Sequence, residues 1–299
     1  MNKLLGSIVG LKSMDLVGVS DVKSSLIEGL DFDTFNYYFD QLVLTQHDLN
    51  IELCGLGYDK TLVTDKGKLI RYGNALISES NELLDSTPWK HWKNTDDVCD
   101  TPNIATELID YLHFLPSLVV VYLKHTRPDS DLGLSIKLSE DYNIIKLVAW
   151  NTLNSKVYPH DNDTAKITNA LLSVNSVLGG LCNLTYIFNK DIEEDIDTSY
   201  SFLKEHIKYM IAVSFGLTFQ NHFTIFNSSI ESIWSEYIVK NTLNSFRKDN
   251  GYKEGTYIKI WNDLEDNEVA KAIMSENPKL TKNELYEELT IAYKLIKGE

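Results

Sequence analysis

The chain has 299 residues, 43% apolar and 24% charged, which is ordinary for a globular protein and leaves room for one large domain or two modest ones. Its net charge of −15, from 28 basic against 43 acidic side chains, lacks the basic footprint of a general nucleic-acid binder. An anionic ligand therefore needs local basic groups or bound cations to overcome the average field.

The opening "MNKLLGSIVGLKSMDL" loosely resembles a signal peptide, but Lys12 interrupts the apolar run and no small-residue cleavage site follows. Cys54, Cys99 and Cys182 are widely spaced with no C-x-x-C, which argues against a zinc or disulfide framework and for a reducing compartment. No apolar stretch approaches the ~20 residues that span a bilayer. The expectation is a soluble protein of the cytoplasm (the host's, if the chain is viral), with no membrane and no nucleic-acid partner.

Helical periodicity begins in "DFDTFNYYFDQLVLTQHDLNIEL", where Phe35, Phe39, Leu42, Gln46, Leu49 and Leu53 share one face and Asp33 or Thr34 is placed to cap. Residues 55–68 read as a loop, and a second helix covers about 69–86, stopping before Pro88. The third starts with Thr101 as N-cap and Pro102 behind it, and Pro116 should kink or break it after Phe114. From 126 to 165 the chain is polar and irregular, with a short strand pair expected at "LSIKLS" and "IIKLVAW". Helical pattern returns at about 165–188 and, beyond the acidic loop "DIEEDID", at about 198–216. Ser228 and Glu231 form an S-x-x-E box opening a helix that ends at Gly251, and Thr281 and Glu284 repeat the device for the last helix. The chain is therefore predominantly α: a helical core at 31–125 and 200–270, an N-terminal extension at 1–30, an insertion or cap at 126–199, and a C-terminal helix at 271–299.

Four acids stand out. Glu79 lies between Leu76 and Leu83 on the packing stripe of the second helix, with Glu82 one turn on; Glu107 and Asp110 adjoin Leu108 and Leu112 on the third. One such pair is ordinarily a solvated face. Two pairs on amphipathic helices are costly to desolvate unless lysines or a hard divalent cation compensate them. Near the C-terminus, Lys240, Asn244 and Arg247 line one helical face, and Tyr252, Lys253 and Lys259 follow the glycine stop, which suits a chain of phosphate oxygens as well as a solubilising surface. On the first helix Gln46 and Asn50, four residues apart, offer donors and acceptors that suit a pyrimidine edge or the neighbouring backbone.

The segments "TQHDLN", "ESNELLDSTPWKHWKN", "ELIDYLHF" and "KNTLNSFRKDNGYKEGTYIKIWNDLEDN" together resemble, in order, the dimeric all-α dUTPase family. The resemblance implies an all-α fold: a helical-bundle core of the all-α NTP pyrophosphohydrolase type, whose variable insertion can include a short β-hairpin. It implies hydrolysis of dUTP, and of dUDP, to dUMP, by a homodimer in which apolar segments such as "LPSLVVVYL" could form the interface. Glu79, Glu82, Glu107 and Asp110 would hold Mg2+, with Mn2+ as a substitute, and the first pair would supply the group that activates water. Lys240, Asn244, Arg247, Tyr252, Lys259 and Asn267 would hold the phosphates. Gln46 and Asn50 would read uracil, while Trp89, His113 and Phe114 would wall the base and sugar. Residues 1–30 and 126–200 match nothing in the family. Two other readings stay open on the residues alone: another all-α pyrophosphohydrolase of the dCTPase or MazG-like type, and a catalytically silent binding protein of the same fold.

Overall fold

The computed structural model describes residues 29–55, 58, 67–90, 92, 98–126, 139–155, 164–191 and 197–298. Among the described residues the chain forms helices α1 (Phe32–Cys54), α2 (Gly67–Asp85), α3 (Thr101–Thr126), α4 (Glu140–Leu153), α5 (Thr164–Asp191), α6 (Asp197–Phe226) and α7 (Ile230–Asp249). A two-stranded ribbon, β1 (Ile260–Trp261) and β2 (Leu264–Glu265), leads into α8 (Asp266–Glu276) and α9 (Lys282–Lys297).

Helix starts follow side-chain capping, and several differ from expectation. Asp31, rather than Asp33 or Thr34, caps α1 by accepting from the Thr34 N–H at 2.7 Å. At α3 it is Asp100, rather than Thr101, whose side chain accepts from the Asn103 N–H at 3.2 Å. On α7 the reciprocal pair is Ser229 and Ser232, one residue beyond the expected Ser228 and Glu231. Thr281 and Glu284 form the capping box of α9 as the pattern predicts.

The helices run further than the chain's punctuation suggests. Pro116 lies inside α3 without ending it: Leu115 and Leu118 through Val121 are fully buried, and packing outweighs the single lost N–H. That burial also corrects the expected interface, since "LPSLVVVYL" is spent inside the chain. "IIKLVAW" is helical rather than extended. Ser139 caps α4, and Ile145, Ala149 and Leu153 bury one face at a spacing of four. The rest of the expected strand pair, residues 134–138, lies outside the described residues. Helix α6 continues past Gly216 because that glycine is a contact point. A Cβ there would meet Thr152 Cβ at 2.4 Å and the Ala149 carbonyl at 2.6 Å. The ribbon turns at Asn262 and Asp263, whose φ values of 50° and 69° suit a tight two-residue hairpin.

Two apolar clusters hold these elements. The larger joins α1 to α6 with the first half of α7, and α4 and α5 contribute to it directly through Tyr142, Ile145, Leu171 and Leu178. The smaller is built by Val239, Leu243 and Phe246 of α7 with Trp261, Ala270, Leu285, Leu289 and Tyr293. By length and composition alone, α3 and residues Ile167–Leu184 could cross a membrane, contrary to expectation, but the apolar window of α3 is 78% buried in the bundle.

Candidate active site

Leu76 and Leu83 of α2 pack with Ile104, Leu108 and Leu112 of α3 in the main core, which turns Glu79, Glu107 and Asp110 toward one another. Their register is pinned by neighbours. Tyr111 hydrogen-bonds through its hydroxyl to Ser80 Oγ and Asn175 Oδ1, each at 2.9 Å, and Asn175 Nδ2 donates to the Ser80 carbonyl at 3.0 Å. One oxygen from each of Glu79, Glu107 and Asp110 lies within 4.8 Å of the others. Glu82 is exposed and stands outside this group, although its charge is felt by both Glu79 and Glu107.

The electrostatics are those of crowded acids. Burial, and then the charges of Asp110 and Glu82, push the Glu79 carboxyl up to about 7. Glu107 is likewise raised to about 7, by burial first and then by Asp110, Glu82 and Glu79. Lys240 of α7 opposes both shifts and lies 2.8 Å from the Asp110 carboxylate. Glu107 is only 6% exposed, and its Oε2 has no hydrogen-bond partner among the described residues. Three convergent carboxylates with one orphaned buried oxygen fit a hard divalent cation, which takes oxygen ligands.

The basic residues fall into two sets. Lys240 and Asn267 border a small, mainly apolar pocket with Ile109, Val239 and Leu243, and at its edge Lys271 donates to Thr106 Oγ1 at 2.9 Å. Arg247 is instead clamped by Asp266, to which it donates from Nε at 2.7 Å and from a terminal nitrogen at 2.6 Å; Tyr257 donates to the same carboxylate. Its guanidinium lies 5.7 Å from the centroid of the Tyr252 ring. Asn244 is half-buried on the same helix. Lys259, half-exposed, reaches Glu265 at 3.3 Å across the ribbon.

The residues expected at the base sit mostly in the interior. Gln46, Asn50 and His113 are all buried, and they join Ser117, Tyr237 and Asn241 in one polar network between α1, α3 and α7. The His113 ring packs against Tyr237 with centroids 4.6 Å apart, and burial depresses its pKa to about 4, so it is neutral at pH 7. Phe114 is partly buried against the core. Trp89 donates to Asp85 Oδ1 at 3.3 Å and meets Trp92 edge-to-face at 5.4 Å, with Lys90 bonded to the same aspartate.

Sequence reading missed Asp266, Tyr237, Ser117, Asn241 and Lys271. Asp266 falls in the quoted basic block, but an acid there reads as a solvated neighbour. Lys271 follows Asn267 by four residues, a helical spacing that could have marked it.

A family model described as dUTPase matches residues 39–252. A search of curated protein sequences finds no match. With that match across most of the chain, and α-helices making up nearly all of the regular structure among the described residues, the protein belongs to the all-α dUTPase family and is a dUTP diphosphatase.

Proposed function

We propose that this dUTP diphosphatase works with Mg2+, or Mn2+ in its place, held by Glu79, Glu107 and Asp110 with Glu82 at the edge, and that it also accepts dUDP. The observation that carries this reading is the convergence of three carboxylates within 4.8 Å beside an unpartnered Glu107 oxygen. When bound, the ion supplies Lewis acidity against the phosphate oxygens. Glu79 accepts a proton from the attacking water as general base. The water oxygen bonds to phosphorus, the anhydride bond breaks, and dUMP leaves with pyrophosphate, or with phosphate when dUDP is hydrolysed. Lys240, beside the carboxylates, faces the phosphate chain with Asn267 and stabilises the charge that develops there. Asn244, Arg247, Tyr252 and Lys259 complete the phosphate set from α7 and the segment after it. Gln46 and Asn50 meet uracil, with Trp89, His113 and Phe114 around the base and sugar.

Chromatography of dUTP, dUDP, dCTP and dTTP reactions, in magnesium and in EDTA, tests the assignment. Expected are dUMP from the two uracil nucleotides, little product from the others, and none in EDTA. Full turnover of dUTP in EDTA would remove the metal from the reading. A homodimer belongs to the same proposal and rests on the family resemblance. Light scattering should give twice the 34.1 kDa chain mass.

A further inference from the structure

The polar network behind the base-reading amides has a direction. Ser117 donates its hydroxyl proton to the His113 carbonyl at 2.9 Å. A carbonyl can only accept, so the Ser117 oxygen must in turn accept, and it does so from Asn50 Nδ2 at 2.8 Å. Asn50 Oδ1 is thereby placed to accept from Gln46 Nε2 at 3.1 Å, and Gln46 Oε1 accepts from the Tyr237 hydroxyl at 2.9 Å. Tyr237 receives Asn241 Nδ2 at 3.3 Å, and Asn241 Oδ1, at the head of the chain, has no partner among the described residues. Five hydrogen bonds thus run one way, from Asn241 to a terminal acceptor in the α3 backbone. Tyr58 and Tyr72, whose hydroxyls lie 2.8 Å apart, border Asn50 and Ser117. A hydroxyl both donates and accepts, so it sets a direction only where its own proton is committed to an acceptor, as that of Ser117 is to the His113 carbonyl and that of Tyr237 to Gln46 Oε1.

Side-chain amides are nearly symmetric in shape, and reversing one exchanges a donor for an acceptor. That exchange separates uracil, which presents a carbonyl at C4 and an N–H at N3, from cytosine, which presents an amino group and a bare nitrogen. We propose that Ser117 and Tyr237 are specificity-determining positioning residues: their hydroxyls lock the Gln46 and Asn50 amides in one orientation, and this excludes cytosine. The proposal rests on the reading that Gln46 and Asn50 meet the base. Ser117 is fully buried and Tyr237 is 0% exposed, so water does not replace either hydroxyl cheaply.

The test measures kcat and KM for dUTP and dCTP in Ser117→Ala, Tyr237→Phe and Gln46→Ala. Losing the lock should lower the dUTP:dCTP ratio of kcat/KM by about tenfold or more, through a higher KM for dUTP and a gain on dCTP. A merely structural loss weakens both substrates in parallel and keeps the ratio, and that result in the two hydroxyl variants would overturn the proposal. If Ser117→Ala does not fold, Tyr237→Phe reads the same ratio alone. An unchanged ratio in Gln46→Ala would remove the base-reading assignment itself, whereas a collapse there with intact ratios in Ser117→Ala and Tyr237→Phe would remove the lock and leave that assignment standing.

Discussion

Lys240 reaches from α7 to within 2.8 Å of the Asp110 carboxylate on α3, so one ammonium serves a cluster of three acids. It compensates one charge, while burial first and then the neighbouring acids hold the Glu79 and Glu107 carboxyls up at about 7.

Replacing one of these acids should harm turnover far more than folding. Glu79→Gln is expected to lower kcat on the order of 100-fold or more, since it removes the proton acceptor. Its melting temperature in EDTA should equal or exceed that of the wild type, because a like charge has gone. Steady-state kinetics and calorimetry on the same preparation check both halves.

The raised carboxyls also predict a pH signature in the metal-free protein. Folded Glu79 and Glu107 keep their protons up to about 7, whereas the unfolded chain releases them near its ordinary 4.5. The folded state binds more protons across that window, so their contribution to stability is present below it and lost as pH rises through about 7. Buried His113 and His222, depressed to about 4 and about 3, act in the opposite sense as pH falls below 6.5, and a comparison with a variant cancels them. The double variant Glu79→Gln/Glu107→Gln should gain on the wild type in urea midpoint as pH is raised from about 5 to about 8 in EDTA.

Asp266 is fully buried and carries three hydrogen bonds from Arg247 and Tyr257. Asp266→Ala leaves a largely buried guanidinium uncompensated and should cost about 3–5 kcal/mol, read from denaturant unfolding. Arg247→Lys keeps the charge but loses the two-pronged geometry and should weaken dUTP binding together with stability.

Gly216 admits no side chain. Gly216→Ala should destabilise by about 1–3 kcal/mol through its contacts with Thr152 and the Ala149 carbonyl. Adding Thr152→Ala removes only the Cγ2 contact at 2.8 Å and should give little rescue, because the residue 152 Cβ remains at 2.4 Å and the Ala149 oxygen at 2.6 Å. Thermal unfolding of the single and double variants measures the difference.

The acids were legible because each sits beside leucines that must be buried, and a charge on a packing stripe needs a reason. Asp266 was not, since its partner is 19 residues away around a ribbon that no local pattern announces. The Tyr237 contact to Gln46 spans 191 residues and is purely tertiary. Elements were misjudged where one residue type was read as punctuation. Pro116 looked like a stop, and the helix expected at about 198–216 runs on to Phe226; burial on both sides carries each helix through. The β-branched run in "IIKLVAW" suggested extension, while its spacing of four buries a helical face under the Ser139 cap.

Helix α7 belongs to both apolar clusters, with Ile233 and Tyr237 in one and Leu243 and Phe246 in the other. It is therefore a ruler. Tyr237, tied to the amides, and Arg247, among the basic groups, are separated by roughly 15 Å of continuous rod at ~1.5 Å per residue. Inserting a single residue between them would lengthen that gauge only slightly but swing its far end by about 100°, so the calibrated span and the facing of the two ends are inherited together.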